Sequence, residues 1–333
     1  MHATFKKIGV VGAGSWGTAL ALLLERNGYN VHVWGNDPAA VQRLCADREN
    51  KAYLPGVPLP ENLHFTASLE TLADADLVLL VPPSSAMREV AARLSTVALN
   101  PEAILLSCTK GVERGSGLRM SQILEETLPG HPLAVLSGPS HAEEVARHAP
   151  TAVVLGCEDP HRLGQLQSIF CNATFRAYTS SDLTGMELGG ALKNIFALAA
   201  GVSDGLQLGD NTKAALVTRS LAELVRLGVA LGGRNETFQG LSGIGDLMVT
   251  CFSKHSRNRS VGERLGKGES LGHIVRSTSM VAEGVPTTYS AHECARKLGV
   301  ETPIIDSVRL ILDGTFSPAE AMSALLSRDP KSE

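Results

Sequence analysis

Several features that would place this chain in a special class are missing from its 333 residues. The six cysteines are scattered without a Cys-x-x-Cys pair. That spacing argues against a disulfide framework or a zinc site and favours reduced thiols in a cytosolic protein. No uncharged apolar stretch is long enough to span a bilayer. The net charge of -4 argues against a general binder of nucleic acid or of membrane surfaces.

Two further absences narrow the chemistry. The ten histidines show no His-x-x-x-His pair, so no metal site is expected, and no Gly-x-Ser-x-Gly nucleophile turn occurs. The first residues lead directly into an apolar strand, so no signal peptide is expected. What is present is an ordinary globular composition, 44% hydrophobic and 19% charged, in a chain long enough for two domains.

The chain changes character near residue 182. Short apolar strands are predicted before it, at residues 6–11, 31–34, 77–81, 103–107, 133–137, 152–155 and 173–177. Helical patterns lie between most of these strands, as in βαβ units with a mostly parallel sheet. After it, helices alone are predicted, at residues 183–203, 210–232, 257–268, 286–299, 302–313 and 317–327.

We therefore predict an α/β fold in two parts. An N-terminal Rossmann-like domain with a mostly parallel sheet, residues 1–185, is expected to bind a dinucleotide. An all-helical C-terminal domain, residues 186–333, is expected to bind substrate and carry the catalytic groups.

The strongest local motif is Gly12-x-Gly14-x-x-Gly17, which follows the first strand and opens the first helix. In this context the three glycines permit a tight turn, close approach to a pyrophosphate, and helix-on-strand packing. Ser15 and Trp16 lie at the tip of the turn and are expected to contact the cofactor, NAD(H) or NADP(H). The alternative is a glycine turn that binds no ligand.

The residues after the second strand bear on the choice of cofactor. An acid there commonly bonds the adenosine ribose of NAD, whereas a basic residue favours NADP. Asn36 is neutral and can bond either a hydroxyl or a phosphate, and Asp37 comes one or two positions late. Since no arginine follows directly, the pattern leans mildly towards NAD and leaves the choice open.

A single lysine, Lys193, interrupts an apolar helical run at residues 187–201. The run is apolar almost all the way round, so the helix should be buried. A buried ammonium is costly unless it has a partner or a function. The neighbours one turn away are Gly189, Gly190 and Ala197, small enough for another backbone or a ligand to approach. The alternative is a lysine that extends its amine to water.

Six sequence blocks in order resemble the bacterial NAD(P)-dependent glycerol-3-phosphate dehydrogenase family over nearly the whole chain. They lie at residues 12–20, 109–113, 137–146, 187–194, 243–247 and 256–259. The resemblance implies interconversion of dihydroxyacetone phosphate and sn-glycerol 3-phosphate, which feeds glycerophospholipid synthesis. It also implies a cytoplasmic location and a homodimer. The net charge of -4 adds the expectation of no nucleic acid partner and no stable membrane association.

The resemblance gives three residues catalytic roles. Lys193 is the expected general acid/base, which protonates the ketone oxygen during reduction and also contacts substrate. Asp246 is expected to orient Lys193 and contact substrate; read without the resemblance, it is a helix cap or turn carboxylate. Burial would lower the pKa of the lysine and the carboxylate would raise it. Lys110 is expected to reach substrate and cofactor, the alternative being a solvated loop lysine.

The turn after the fifth strand is expected to face both ligands. The resemblance assigns Gly138 and Ser140 to substrate and Ala142 to the nicotinamide side of the cofactor. Ser140 can also be read as a helix N-cap, and both roles could hold together. His141 stands where the family usually has an apolar residue; it is either a tolerated ring or an added titrating group.

A basic block near residue 257 is the phosphate candidate. An arginine fork pairs two phosphate oxygens, and a helix that begins here adds backbone N–H groups. The resemblance assigns Ser256, Arg257 and Asn258 to substrate, with Arg257 also near the cofactor. The alternative for Arg257 is an exposed basic loop, and that is the interpretation kept for Arg259.

The remaining expectations come from the resemblance or from single departures. Val281 and Glu283 match family positions that contact the cofactor. Cys108 replaces a smaller family residue and is interpreted as a small buried hydrophobe.

Two other functions stay open from the residues themselves. The same fold serves dehydrogenases of sugar acids, opines or pantoate precursors, whose carboxylate substrates also need an arginine. A protein that only binds NAD(H) without turnover is the third possibility.

Overall fold

The computed structural model describes residues 5–277 and 281–327. The chain forms two compact units, the first comprising Met1–Lys110 and Arg119–Met186, the second Gly111–Leu118 and Glu187–Glu333. The prediction from the sequence had not assigned the segment Gly111–Leu118 to the helical unit. The division into domains 1–185 and 186–333 stays a prediction.

The helices and strands follow in chain order. They are β1 Lys7–Val11, α1 Ser15–Arg26, β2 Asn30–Trp34, α2 Pro38–Asp47, β3 Glu49–Asn50, β4 Leu54–Pro58, β5 His64–Thr66, β6 Leu77–Leu80, α3 Met87–Leu94, β7 Ile104–Ser107, α4 Met120–Thr127, β8 Leu133–Ser137, α5 Ala142–Ala146, β9 Thr151–Cys157, α6 Pro160–Phe170, β10 Phe175–Ser180, α7 Leu183–Gly205, α8 Gly209–Ala230, α9 Asn235–Phe238, α10 Asp246–Phe252, α11 Arg257–Gly266, α12 Leu271–Arg276, α13 Gly284–Leu298, α14 Pro303–Leu312 and α15 Pro318–Leu326. Short 3₁₀ turns lie at Leu69–Leu72 and Ser84–Ala86, and a π-helical turn lies at Leu241–Gly245.

All the strands predicted for the first unit are present in one sheet, which confirms the predicted fold class. The strand order is β10-β9-β8-β7-β6-β1-β2-β5, parallel throughout except where β8 meets β9. Strands β6 and β7 are buried along their whole length, so they read as continuous apolar runs. The chain leaves β1 towards β2 on one side and later adds β6 on the other, and such a switch point is where α/β sheets bind ligands.

The sequence reading missed three short strands between residues 49 and 66. Strands β3 and β4 form a separate antiparallel pair, and β5 adds to the edge of the main sheet beside β2. Strands β3 and β5 have only two and three residues, and the five residues of β4 include two prolines and a glycine. None of them shows an apolar alternation, which is why the periodicity does not reveal them.

The six predicted helices of the second unit are present as α7, α8, α11, α13, α14 and α15. The reading missed α9, α10 and α12, each of seven residues or fewer. Every residue from 185 to 203 of α7 is buried, as predicted for a helix that is apolar all round. Among the described residues, no helix is both long and apolar enough to cross a membrane.

Candidate active site

The three glycines of the turn after β1 meet three different steric conditions. Gly12 has φ +123°, and a Cβ there would lie 2.9 Å from the Val81 carbonyl oxygen. A Cβ on Gly17 would lie 1.9 Å from the Gly12 oxygen, so only glycine lets α1 begin so close to the strand. A Cβ on Gly14 would meet nothing within 4 Å. Gly14 therefore faces open space, which is where a ligand can approach the backbone.

The start of α1 fits a dinucleotide phosphate. No side chain caps this helix and its first turn holds no acidic residue, so its N–H groups and dipole favour an anion. Ser15 is the first helical residue, and Trp16 is half-buried beside it. The indole nitrogen of Trp16 is buried without a hydrogen-bond partner in the described residues. An orphaned donor and an open glycine face suit a cofactor whose phosphates lie at this turn.

Asn50 holds this turn in place, and no local sequence pattern indicates this role. Its buried side chain donates from Nδ2 to the Ala13 carbonyl oxygen at 3.0 Å and to the Thr18 hydroxyl at 2.9 Å. Its Oδ1 accepts from the backbone N–H of Tyr53 at 3.3 Å. The short strand β3 carries Asn50, so the missed hairpin has a structural task at the site.

The end of β2 combines two residues that lie far apart in sequence. Arg93 from α3 donates to Asn36 Oδ1 at 2.5 Å, and its guanidinium lies 4.9 Å from the ring centroid of Trp34. Asp37 instead caps α2 by accepting from the backbone N–H of Ala39 at 2.9 Å. An arginine is therefore present beside Asn36, although none follows it directly in the sequence.

Lys110, Gly138 and Ser140 come together at the carboxyl edge of the sheet. Lys110 Nζ donates to the Gly138 carbonyl oxygen at 2.7 Å and to the Ser140 hydroxyl oxygen at 3.3 Å. Lys110 is half-buried, so it is not the solvated loop lysine of the alternative reading. The N-cap alternative for Ser140 is wrong, because α5 has His141 as its N-cap and begins at the buried Ala142.

In the second unit, Lys193 forms a buried ion pair with Asp246. Lys193 Nζ lies 2.5 Å from Asp246 Oδ1 and 2.8 Å from the Thr250 hydroxyl oxygen. The side chains of Lys193 and Asp246 are 8% and 1% exposed, which excludes the reading of an amine that extends to water. Thr250 in turn donates to the Asp246 carbonyl oxygen at 2.6 Å. Asp246 is the first residue of α10, and its carboxylate serves the lysine rather than only a turn.

A small residue on α7 explains how this pair meets. A Cβ on Gly189 would lie 2.2 Å from the carbonyl oxygen of Ser242, so the π-helical turn at Leu241–Gly245 packs directly on the helix backbone. Lys193 is one turn beyond Gly189, and Asp246 is one turn beyond Ser242. The close backbone contact therefore sets the two charged side chains side by side.

A second polar link joins α7, α11 and α13. The Asn258 amide donates to Asn194 Oδ1 at 2.9 Å, and its own Oδ1 accepts from the backbone N–H of Gly284 at 2.8 Å. Asn258 and Asn194 are buried. Helix α7 also approaches α11 closely, since a Cβ on Gly262 would lie 2.0 Å from the Leu198 carbonyl oxygen. This link fixes the start of α11 relative to Lys193.

The basic block does open a helix. Ser256 is the N-cap of α11 and its hydroxyl accepts from the backbone N–H of Arg259 at 3.2 Å. Arg257 is the first residue of α11 and is exposed. The interpretation of Arg259 as an exposed basic loop is wrong: it lies within α11 and pairs with Asp204 at 2.5 Å and with Glu263 at 3.2 Å.

The last predicted positions to be located are Val281, Glu283 and Cys108. Val281 is 43% exposed and Glu283 is the N-cap of α13. The residues just before Val281, 278–280, lie outside the described residues. Cys108 is 1% exposed, which confirms it as a small buried hydrophobe.

An uncapped helix with a glycine turn at the switch point of a parallel sheet is the phosphate site of Rossmann-type dehydrogenases. The helical unit contains a buried lysine–aspartate pair. These two features indicate a nicotinamide-dependent oxidoreductase.

The comparisons with known proteins specify the family. Residues 7–163 match the family model of the NAD-dependent glycerol-3-phosphate dehydrogenase N-terminus, and residues 182–323 match that of its C-terminus. The chain therefore belongs to the NAD-dependent glycerol-3-phosphate dehydrogenase family.

Relatives resemble the chain from end to end. A glycerol-3-phosphate dehydrogenase [NAD(P)+] of Carboxydothermus hydrogenoformans is 47% identical over 98% of both chains. A glycerol-3-phosphate dehydrogenase crystal structure from Coxiella burnetii has a TM-score of 0.93 at 39% identity, covering 97% of this chain and 99% of that one. A ketopantoate reductase from Ralstonia eutropha has a TM-score of 0.60 at 18% identity, covering 92% and 99%, which shows a shared fold alone.

The sequence reading missed Thr250, Asn194, Asn50 and Arg93. Thr250 lies four residues after Asp246, a spacing that places both on one helix face. Asn194 directly follows Lys193. The other two carry no local signal, because their partners lie far away in sequence.

Proposed function

We propose that the protein catalyses the reversible reduction of dihydroxyacetone phosphate to sn-glycerol 3-phosphate with NADH or NADPH. The family models covering both parts of the chain, and full-length relatives named glycerol-3-phosphate dehydrogenase [NAD(P)+], support this activity. The observation that carries the chemistry is the buried ion pair between Lys193 and Asp246. A bound nicotinamide would supply the hydride for the C2 carbon of the ketone.

Lys193 is proposed to give a proton to the C2 oxygen during reduction and to take it back during oxidation. Asp246 and Thr250 position the ammonium of Lys193, because its Nζ donates a hydrogen bond to each of their side chains. The carboxylate also offsets the cost of burying a positive charge. Proton transfer by a positioned group contributes about 10²–10⁴ in rate.

Binding roles are proposed for the remaining site residues. Ser256, Arg257 and Asn258 at the start of α11 would hold the substrate phosphate, since an exposed arginine and helix N–H groups both favour an anion. Gly138 and Ser140 are proposed for substrate.

Cofactor roles are proposed for residues of both units. In the first unit the glycine turn with Ser15, Trp16, Asn36, Lys110 and Ala142 is proposed to contact the dinucleotide. Arg257, Val281 and Glu283 are proposed for it in the second unit, and Lys110 is also proposed for substrate.

The first test is turnover. Purified protein should oxidise NADH or NADPH when dihydroxyacetone phosphate is added, followed by loss of the reduced-nicotinamide absorbance. Turnover with a 2-keto acid but not with dihydroxyacetone phosphate would favour a dehydrogenase of sugar acids, opines or pantoate precursors. Cofactor binding without turnover on any of these substrates would favour a protein that only binds nucleotide.

Lys193 has a matched control in the same unit. Lys213 is also buried and paired with an acid, Asp204, at 2.9 Å. Lys193→Met should lower kcat by about 10²-fold or more while the Kd of the cofactor changes little. Lys213→Met loses a comparable ion pair and should lower stability but not kcat. Equal kcat losses in both variants would remove Lys193 from its proposed role.

Arg257 is tested by substrate choice. Arg257→Ala should raise KM for dihydroxyacetone phosphate by the equivalent of about 1.5–3 kcal/mol, the strength of a hydrogen bond to a charged group. The residual rate on unphosphorylated dihydroxyacetone should not change, because that substrate has no phosphate to hold. A loss of both activities would mean that Arg257 acts elsewhere.

We also propose that the protein works in the cytoplasm as a homodimer and supplies glycerol 3-phosphate for glycerophospholipid synthesis. These three points rest on the family resemblance. Light scattering on the purified protein tests the oligomer, and a monomeric mass at working concentration would contradict it.

A further inference from the structure

We propose that Arg93 and Asn36 form the subsite for the 2′-phosphate of NADPH, so that this chain binds NADPH more tightly than NADH. The proposal rests on the proposed function only in taking the ligand to be a nicotinamide dinucleotide. The sequence leaned mildly towards NAD because no arginine follows β2. The folded chain supplies one from α3, 57 residues further on.

Asn36 lies just past the end of β2, beside the glycine turn. The backbone N–H of Gly12 donates to the Trp34 carbonyl oxygen at 2.9 Å, which ties the glycine turn to the end of β2. A Cβ on Gly35 would lie only 3.4 Å from that of Ala13 within the same turn. In a Rossmann domain the residues that end the second strand face the adenosine ribose and decide between a 2′-hydroxyl and a 2′-phosphate.

Neighbouring side chains hold the guanidinium of Arg93 in place. Its guanidinium stacks 4.9 Å from the Trp34 ring centroid and donates one N–H to Asn36 Oδ1. Trp34 is itself fixed, since it is 2% exposed and its indole N–H donates to the Ala67 carbonyl oxygen at 3.1 Å. A planar guanidinium that is stacked and anchored loses less freedom when it binds a phosphate.

The charges at the end of β2 also favour a phosphate. Within residues 5–277 and 281–327, Arg93 forms no ion pair with a carboxylate, so its charge is not neutralised locally. The acid that would read a 2′-hydroxyl, Asp37, is engaged elsewhere: one oxygen caps α2, and the other lies 3.8 Å from Arg43. The end of β2 thus carries two arginines against one aspartate, which favours a dianionic phosphate over a neutral hydroxyl.

The test measures binding directly. Calorimetric titration of the whole protein with NADPH, NADH, 2′,5′-ADP and 5′-AMP separates the 2′-phosphate from the rest of the cofactor. Arg93→Gln keeps a side chain of similar length but removes the charge. Arg88→Gln is the matched control, because Arg88 lies on the same helix and pairs with Glu126 on α4 at 2.9 Å.

The wild-type protein should bind NADPH and 2′,5′-ADP about ten-fold or more tightly than NADH and 5′-AMP. Arg93→Gln should remove that preference by weakening the two 2′-phosphates alone, and Arg88→Gln should leave it intact. Equal weakening of all four ligands would overturn the proposal, since Arg93 would then only shape the end of β2. No change in any of them would overturn it as well.

These outcomes are separate from those of the proposed function. A protein that reduces dihydroxyacetone phosphate equally well with either cofactor, unaffected by Arg93→Gln, keeps its function and loses this subsite. A protein that shows the 2′-phosphate preference without turnover keeps the subsite and loses the function.

Discussion

Replacing Gly14 and Gly17 in turn separates cofactor binding from folding within one short motif. Both are glycines of the turn after β1, but a Cβ would meet open space at Gly14 and a backbone oxygen 1.9 Å away at Gly17. Gly14 has φ -76° and ψ -174°, which any residue adopts. The two alanine variants should therefore fail in different ways.

Gly14→Ala should fold normally and bind cofactor poorly. Alanine is a weaker N-cap than glycine but restricts the unfolded chain, so the free energy of unfolding should change by less than about 1 kcal/mol. The added methyl group occupies the space into which the pyrophosphate must come. Losing one or two charge-assisted hydrogen bonds there should raise the Kd of NADPH by about 100-fold.

Gly17→Ala should instead destabilise the fold. The helix propensity of alanine gains about 1 kcal/mol, but a methyl carbon at 1.9 Å from the Gly12 oxygen forces α1 away from β1 by more than 1 Å. Overpacking of this kind costs about 1–3 kcal/mol or more. Urea unfolding measures the loss, and NADPH fluorescence titration measures binding in both variants.

A control and a refuting result complete the experiment. Gly164 lies within α6, where a Cβ would also meet nothing within 4 Å, and Gly164→Ala should gain up to about 1 kcal/mol without affecting binding. If Gly14→Ala binds NADPH as tightly as the wild-type protein, the pyrophosphate does not lie at this turn and the reasoning fails.

Three further predictions follow from buried polar groups. Burial raises the pKa of Glu223 to about 7, although its carboxylate accepts hydrogen bonds from the backbone N–H groups that begin α14. Between pH 4.5 and 7 the folded protein therefore keeps a proton on Glu223 that the unfolded protein releases. The free energy of unfolding should fall by up to about 3 kcal/mol over that range. Urea unfolding should show that Glu223→Gln loses this fall in stability between pH 4.5 and 7. The same pH dependence in the variant as in the wild-type protein would refute the prediction. Asn258→Ala leaves the buried N–H of Gly284 unpaired and should cost roughly 2 kcal/mol in the same assay, whereas a neutral result would mean that water replaces the amide. Asn50→Ala frees the glycine turn and should weaken NADPH and NADH binding equally, and a selective loss of one cofactor would contradict this role.

The parts of the site that could be predicted are those encoded within one segment. The glycine spacing after a buried strand predicted the turn that opens α1, because the motif lies within six consecutive residues and Gly17 packs against Gly12 five residues before it. Lys193 was recognisable because a charge inside a fully apolar helix needs a reason. Its partner Asp246 came from the family resemblance, and the residues alone favoured a cap or turn carboxylate.

The parts that could not be predicted depend on contacts between distant segments. Arg93 meets Asn36 across 57 residues, and no pattern near either one indicates the other. Asn50 reaches the glycine turn from a two-residue strand that has no periodicity. Arg259 looked like an exposed base, yet Asp204 lies 55 residues before it and neutralises it in the fold.

The amino-acid sequence by itself determined the βαβ order, the glycine turn and the buried helix with its single lysine, because hydrophobic periodicity and the spacing of glycines are local properties. The tertiary structure decided which charges pair: Asp246 and Thr250 with Lys193, and Arg93 with Asn36. Pairing is decided there because an ion pair or a hydrogen bond depends on distances of about 3 Å, which only the packing of helices and strands from distant parts of the chain can set.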